Sequence, residues 1–285
     1  MIKIWMFVAL VAFGTLWYGC TDQETIPGNQ GETEYSVVLP DNLHIDSAQV
    51  FFFRNLANTD TLILRETIYN LGTTFKRFEF YLPVGYYTVA FWGNVATDRI
   101  VERFPYSRDC IWFSYQGGIE PPDIFHGLNY FNVGKDTSEL SGMVLLVSRI
   151  ELTLKKIPDG IYRIEAPISN TSSGVGFNSY LKEDMNPPLT MYLEEPEPDS
   201  TYTLTMNCFP SVVTDYKTTI GVYCYNIDNE LVYFGKSQPF TVKYGVRMLI
   251  ACSFDENTVS SKSSELHKSE NGNITLEWSY DEKNM

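Results

Sequence analysis

From Phe78 to Asn94 the chain reads Phe-Glu-Phe-Tyr-Leu-Pro-Val-Gly-Tyr-Tyr-Thr-Val-Ala-Phe-Trp-Gly-Asn. Phe78, Phe80 and Leu82 point one way, Glu79 and Tyr81 the other. Beyond Pro83-Val84-Gly85, Tyr87, Val89 and Phe91 share a face opposite Tyr86, Thr88, Ala90 and Trp92. A period of two in aromatic and β-branched residues belongs to a half-buried strand. Proline fixes its own φ and glycine takes a positive one, which suits a reversal between two such runs. The pattern predicts a β-hairpin turning through Leu82, Pro83 and Gly85. Tyr87, Phe91 and Trp92 read as core aromatics of that hairpin, because alternation buries one face.

The same pattern recurs along the chain. Strands are predicted at Tyr35–Leu39, Ala48–Arg54, Thr61–Leu64, Tyr202–Cys208, Thr219–Tyr225, Leu231–Phe234, Phe240–Val242 and Val246–Phe254. Gly142–Arg149 is almost wholly apolar, as a strand covered on both faces would be. Ile150, Leu152, Leu154 and Ile157 then alternate with polar neighbours. A last strand, Asn273–Tyr280, sets Ile274, Leu276, Trp278 and Tyr280 on one face. Residues 95–132 are irregular and rich in aromatics, and read as a long loop region. Ser169–Gly176 reads as a Ser/Gly-rich loop, and Glu194–Asp199 as a solvated acidic loop broken by prolines. No helical period is sustained beyond the first twenty residues. The expected fold class is therefore all-β, with two β-sandwiches in tandem over residues 35–148 and 149–285.

The N-terminus has another character. Lys3 precedes an uncharged apolar run from Ile4 to Tyr18, shorter than the roughly 20 residues a spanning helix needs. Residues 1–19 read as a signal peptide. Gly19-Cys20 followed by Thr21-Asp22-Gln23-Glu24 looks like a bacterial lipobox, with Cys20 becoming the acylated first residue of a lipoprotein. Trp17 stands where an aliphatic residue is usual, with Leu16 beside it. Residues 20–34, with Pro27, Gly28 and Gly31, read as a flexible tether.

Composition narrows the chemistry. The 285 residues carry a formal charge of −14 and 15% aromatic side chains, 19 Tyr and 18 Phe among them. The aromatic content favours strands, and the negative surface repels phosphate backbones, which excludes nucleic acid as a partner. His44, His126 and His267 lie far apart with no ligand at metal spacing, so no metal site is expected. His126 reads as a turn residue. No Ser-His-Asp set, phosphate loop or convergent pair of acids is recognisable, so neither an enzyme nor a bound cofactor is expected. Cys110, Cys208, Cys224 and Cys252 allow three pairings, and buried free thiols are equally open. Trp112, Phe113 and Tyr115, beside Gly117-Gly118, either contact a partner or glycan or pack over the end of a sandwich.

Five features taken together resemble the FimB-type fimbrial anchoring subunits, lipoproteins of fimbrillin-type (type V) pili. They are the lipobox, the turn of Leu82, Pro83, Gly85 and Tyr87, the Trp92-Gly93-Asn94 strand end, Asp123-Ile124-Phe125-His126-Gly127, and the apolar strand ending in Arg149. The resemblance is strongest over residues 78–157 and thin beyond. It implies transthyretin-like, Ig-like β-sandwiches held at the cell outer membrane by lipid on Cys20, with palmitate-type chains. It also implies a role in cell adhesion: seating the base of a fimbrium and limiting its length through strand-mediated contacts with fimbrillin-type pilus subunits. In the stalk subunits of such pili a basic-specific protease frees the N-terminal strand. Here no Lys or Arg lies between Cys20 and Phe53, which favours an anchor. Two alternatives stand beside it, an adhesive tip subunit and a surface glycan-binding lipoprotein of a polysaccharide-uptake system. The last strand either completes its own sandwich or is donated to another subunit.

Overall fold

The computed structural model describes residues 30–37, 44–56, 59–72, 76–133, 138–140, 143–178, 181–182, 187–212, 217–255 and 275–284. The expected signal peptide, Cys20 and Ile274 lie outside these residues, as does most of the tether. Ten strands come first: β1 (Gln30–Val37), β2 (Ile45–Leu56), β3 (Thr59–Gly72), β4 (Lys76–Pro83), β5 (Gly85–Gly93), β6 (Ile100–Glu102), β7 (Ile111–Ser114), β8 (Phe125–Val133), β9 (Ser138–Leu140) and β10 (Val144–Leu145). Nine follow: β11 (Ser148–Lys155), β12 (Arg163–Ser169), β13 (Gly174–Gly176), β14 (Leu189–Glu194), β15 (Tyr202–Cys208), β16 (Thr219–Tyr225), β17 (Leu231–Lys236), β18 (Val246–Asp255) and β19 (Thr275–Asn284). Two short 3₁₀ turns, Thr97–Arg99 and Arg108–Cys110, are the helical segments among the described residues. The chain is all-β, as its alternation predicts.

The strands form five sheets, ordered β4-β1-β9, β10-β8-β5-β2-β3, β15-β11-β18-β19, β14-β12-β16-β17 and β13-β7-β6. The third and fourth lie face to face as a sandwich. Ile150, Leu152 and Leu154 of β11 and Ile250, Cys252 and Phe254 of β18 share one buried cluster with Ile164, Ala166 and Ile168 of β12 and Ile220, Val222 and Cys224 of β16. Their neighbours along β11, β12 and β18 are less buried, the period-two pattern of a sheet with one wet face, whereas in β16 Thr219 and Gly221 are buried as well.

The expected hairpin at Pro83 does not form. β4 pairs with β1, from Gln30↔Pro83 to Val37↔Lys76, whereas β5 lies between β2 and β8. The chain leaves one sheet at Pro83 and enters another at Gly85. Only Val84 separates the two strands, and the favoured hairpin loops need at least two residues. The Tyr87 hydroxyl donates to the Pro83 carbonyl at 2.7 Å and ties the corner from inside.

Nor is one face of β5 left wet. Every residue from Tyr87 to Gly93 is buried. Tyr87, Val89 and Phe91 join Val50, Phe52 and Leu82 in one cluster, while Ala90 and Trp92 join Phe51 and Phe53 in the larger one. The central sheet is thus covered twice, and the chain needs layers on both sides of it.

Residues 95–132 are more regular than their pattern. They contain β6, β7 and most of β8, which pairs with β5 from Gly85↔Val133 to Gly93↔Phe125. Polar residues at His126, Asn129 and Asn132 mask the alternation of β8. Gly127 faces Phe91 across the ladder. His126 is therefore a buried strand residue and not a turn.

Other boundaries shift too. β1 already includes residues 30–34, assigned above to the tether, and β3 runs well beyond Thr61–Leu64. The apolar run 142–149 is not one strand. Val144 and Leu145 pair briefly with β8, Val144 is half exposed, and β11 opens only at Ser148.

Candidate functional site

Three of the sequence motifs meet at one joint. Asn94 has φ of +63°, a left-handed backbone that asparagine tolerates better than other residues carrying a Cβ. Its side chain accepts from the Asp46 amide at 2.9 Å and donates to the carbonyls of His44 (3.1 Å) and Asp123 (3.0 Å). The Asp123 carboxylate accepts from Arg149 at 3.3 Å and from the Asn207 amide group at 3.1 Å. Arg149 Nε also donates to Asn207 Oδ1 at 3.2 Å, and the Asn207 backbone N–H to Glu120 at 2.7 Å. Trp92-Gly93-Asn94, Asp123–Gly127 and Arg149 therefore connect β5, the entry to β8, β11 and β15. The Arg149–Asp123 pair is about two-fifths exposed on both sides, so its charge attraction contributes at most about 1 kcal/mol. The hydrogen bonds to backbone do more, at roughly 1 kcal/mol each.

A second junction lies beside the first, in the segment expected to be a loose Ser/Gly loop. Residues 171–177 are all buried. β13 adds to the edge of β7, with Gly174↔Ser114, Val175↔Phe113 and Gly176↔Trp112. The Ser172 hydroxyl accepts from the amides of Gly174 (3.2 Å) and Lys182 (3.0 Å). The Ser172 amide donates to Pro210 O at 2.9 Å, and Tyr115 N–H to Ser173 O at 2.7 Å. A Cβ on Gly174 would sit 2.0 Å from the Phe113 carbonyl oxygen, so only glycine fits. The Phe177 ring stacks on Trp92 at 3.9 Å between centroids and meets Phe51 and Phe53 edge-on at 4.9 and 5.3 Å. Gly174 stands here because there is no room for a Cβ. Composition alone reads the same residues as flexible, and the one hint against that is Val-Gly-Phe at the end of the run.

The loop aromatics divide. Phe113 is fully buried and Tyr115 nearly so, with Phe209 at 5.6 and 6.0 Å from their rings. Neither ring is open to a ligand. Trp112 is half-buried, and both the Arg103 guanidinium (4.9 Å) and the Lys182 ammonium (3.9 Å) lie over its ring. Cation–π contacts thus already use the surface that a sugar would stack on.

Leu82 and Tyr87 are buried, while Pro83 and Gly85 are partly exposed at the corner. Leu276, Trp278 and Tyr280 lie in β19, which pairs with β18 from Val246↔Asn284 to Asp255↔Thr275 and forms the edge of its sheet. Cys110, Cys208, Cys224 and Cys252 are free thiols. Burial pushes the thiols of Cys208 and Cys224 up to about 12 and raises that of Cys252 as well, which makes all three poor nucleophiles. Burial lowers the pKa of His126. No cluster of three or more His, Cys, Asp or Glu side chains able to hold a metal occurs among the described residues.

By its fold the chain falls in the class of multi-sheet, all-β proteins. Residues 40–281 match the family model of the fimbrillin-A associated anchor proteins Mfa1 and Mfa2, and the chain belongs to that family. The resemblance carried by the motifs is thereby borne out. The fimbrial anchor protein Mfa2 from Porphyromonas gingivalis is similar in structure, with a TM-score of 0.54 at 10% identity over 86% of this chain and 97% of the other. A candidate cell adhesion protein from Bacteroides eggerthii aligns with a TM-score of 0.58 at 10% identity, over 91% and 97%. A candidate polysaccharide-binding protein from Bacteroides thetaiotaomicron gives 0.57 at 13% identity, over 84% and 99%. At such identities the likeness is one of fold. No curated protein sequence matches the chain.

Proposed function

We propose that the protein is a non-enzymatic anchoring and assembly subunit of a fimbrium, acting in cell adhesion and held at the outer membrane through acylated Cys20. The observation that carries this reading is the anchor-family match over residues 40–281, a span reaching from just before β2 into β19. Lipid attachment rests on Gly19-Cys20 after an apolar leader and before a polar stretch. A diacylglyceryl thioether with an added N-acyl chain supplies more than one hydrocarbon anchor, which is what stable attachment takes.

The proposed partners are fimbrillin-type subunits, met through strand edges. Main-chain donors and acceptors along an edge give affinity, and side-chain pockets give register. β14, β17 and β19 are edge strands. The edge of β3 is stopped at Leu62, whose N–H is taken by the Tyr106 carbonyl at 3.1 Å.

Immunogold labelling of fimbriated cells tests the reading. Label at the cell-proximal end of the fimbria is expected. Label at the distal end overturns the anchor in favour of a tip subunit. A protein absent from fimbriae that binds polysaccharide, and loses that binding in Trp112→Ala, overturns it in favour of glycan capture.

A further inference from the structure

Leu146 and Val147, where the chain passes from the first ten strands to the rest, are buried. Leu146 N–H donates to Ile124 O at 2.8 Å and Gly245 N–H to Val147 O at 3.2 Å, and the Ser148 hydroxyl bonds the Lys243 carbonyl. A hinge between independent modules is exposed and poor in crossing contacts. This one is fixed on both sides.

The aromatic face of the central sheet does not close on itself. Phe51, Phe53 and Trp92 are fully buried, yet the ring stacked on Trp92 is Phe177, delivered from the far side of the Val147–Ser148 passage. Phe209, also from that side, covers Phe113 and Tyr115. The small sheet β13-β7-β6 is completed by a strand from the later part of the chain. Without that strap, three large side chains would lose their cover, opening an apolar patch on the order of a few hundred Å². One continuous cluster accordingly runs from Phe51 to Phe254.

We propose that residues 171–177 are a latch, a strand and an aromatic plug given in cis, that makes the sheets before and after Ser148 fold, unfold and bear tension as a single body. The two tandem units expected from the sequence are then not separable modules, and a pull on one end crosses the β13–β7 ladder and the Phe177 stack as well as the covalent chain. The inference does not rest on the anchor reading, since it concerns how the chain holds itself.

Hydrogen exchange on the full chain in graded denaturant, followed by mass spectrometry, tests it alongside calorimetry. In the wild type, peptides from β5, β13, β11 and β16 should open with one common dependence on denaturant, and a single thermal transition should have equal calorimetric and van't Hoff enthalpies. In Phe177→Ala, protection at Val175 should be lost, Trp92 emission should shift to the red, and the transition should divide in two. Gly174→Val should do the same by removing the strand rather than the plug. Two transitions in the wild type would overturn the latch. So would one undivided transition in both variants.

Discussion

Asn94 holds a left-handed backbone while its side chain bonds His44, Asp46 and Asp123. Two substitutions separate these roles. Asn94→Gly keeps the backbone and loses three hydrogen bonds, and should cost roughly 1–3 kcal/mol in urea unfolding. Asn94→Ala loses the same bonds and adds about 1–2 kcal/mol of backbone strain, so it should be the worse of the two. Equal losses would mean that the conformation is unimportant. His126 gives a pH dependence. Burial lowers its pKa, and the carbonyls of Phe91 and Phe177 offset this in part. The unfolded chain takes up a proton near 6.5 and the folded one only at lower pH, so stability is full above 6.5 and declines as the pH falls toward the folded value. The loss by pH 5.5 is at most on the order of 1 kcal/mol. Unfolding midpoints at pH 7.5 and 5.5 should draw closer together in His126→Gln than in the wild type. Both residues stand in motifs visible in the sequence, but their partners are not local. Asn94 lies next to its strand, whereas its bonds reach 29 to 50 positions away.

Among the elements, alternation located most of the strands it named and misjudged their neighbours, while the expected strand Phe240–Val242 is only an isolated bridge from Phe240 to Thr218. The runs on either side of Pro83 are both strands, yet they sit in different sheets, because period two reports which side a residue points to and not which strand lies beside it. β5 looked half wet because its aromatic and polar-capable residues alternate, but Thr88 and Trp92 are as buried as Val89. β8 was hidden by His126, Asn129 and Asn132, and the strap by its serines and glycines. The strap offers the sharpest test at this scale. Phe177→Ala removes a ring that packs against Trp92, Phe51, Phe53 and His126 and should destabilise by about 3–5 kcal/mol in denaturant unfolding. Gly174→Ala should be at least as harmful despite adding a single methyl, since its Cβ would meet the Phe113 carbonyl oxygen at 2.0 Å. A neutral Gly174→Ala would mean that β13 is not held against β7.

For the molecule as a whole, the residues that identify the chain turn a corner, staple a joint or fill a core. Tyr87 ties the corner at Pro83, Asn94 and Arg149 share Asp123, and Trp92 lies under Phe177. Under the proposed function such a body is held at one end and gripped at another, and the chain belongs to a fimbrial anchor family. The proposed attachment to a membrane rests on a short sequence pattern around Cys20. Cys20 is the proposed point of attachment, and replacing it in the fimbriated bacterium puts that to the test. With Cys20→Ser, the protein should leave the membrane fraction and intact fimbriae should be shed into the medium. Fimbriae still fixed to the cells, with the variant still sedimenting with membranes, would contradict the account.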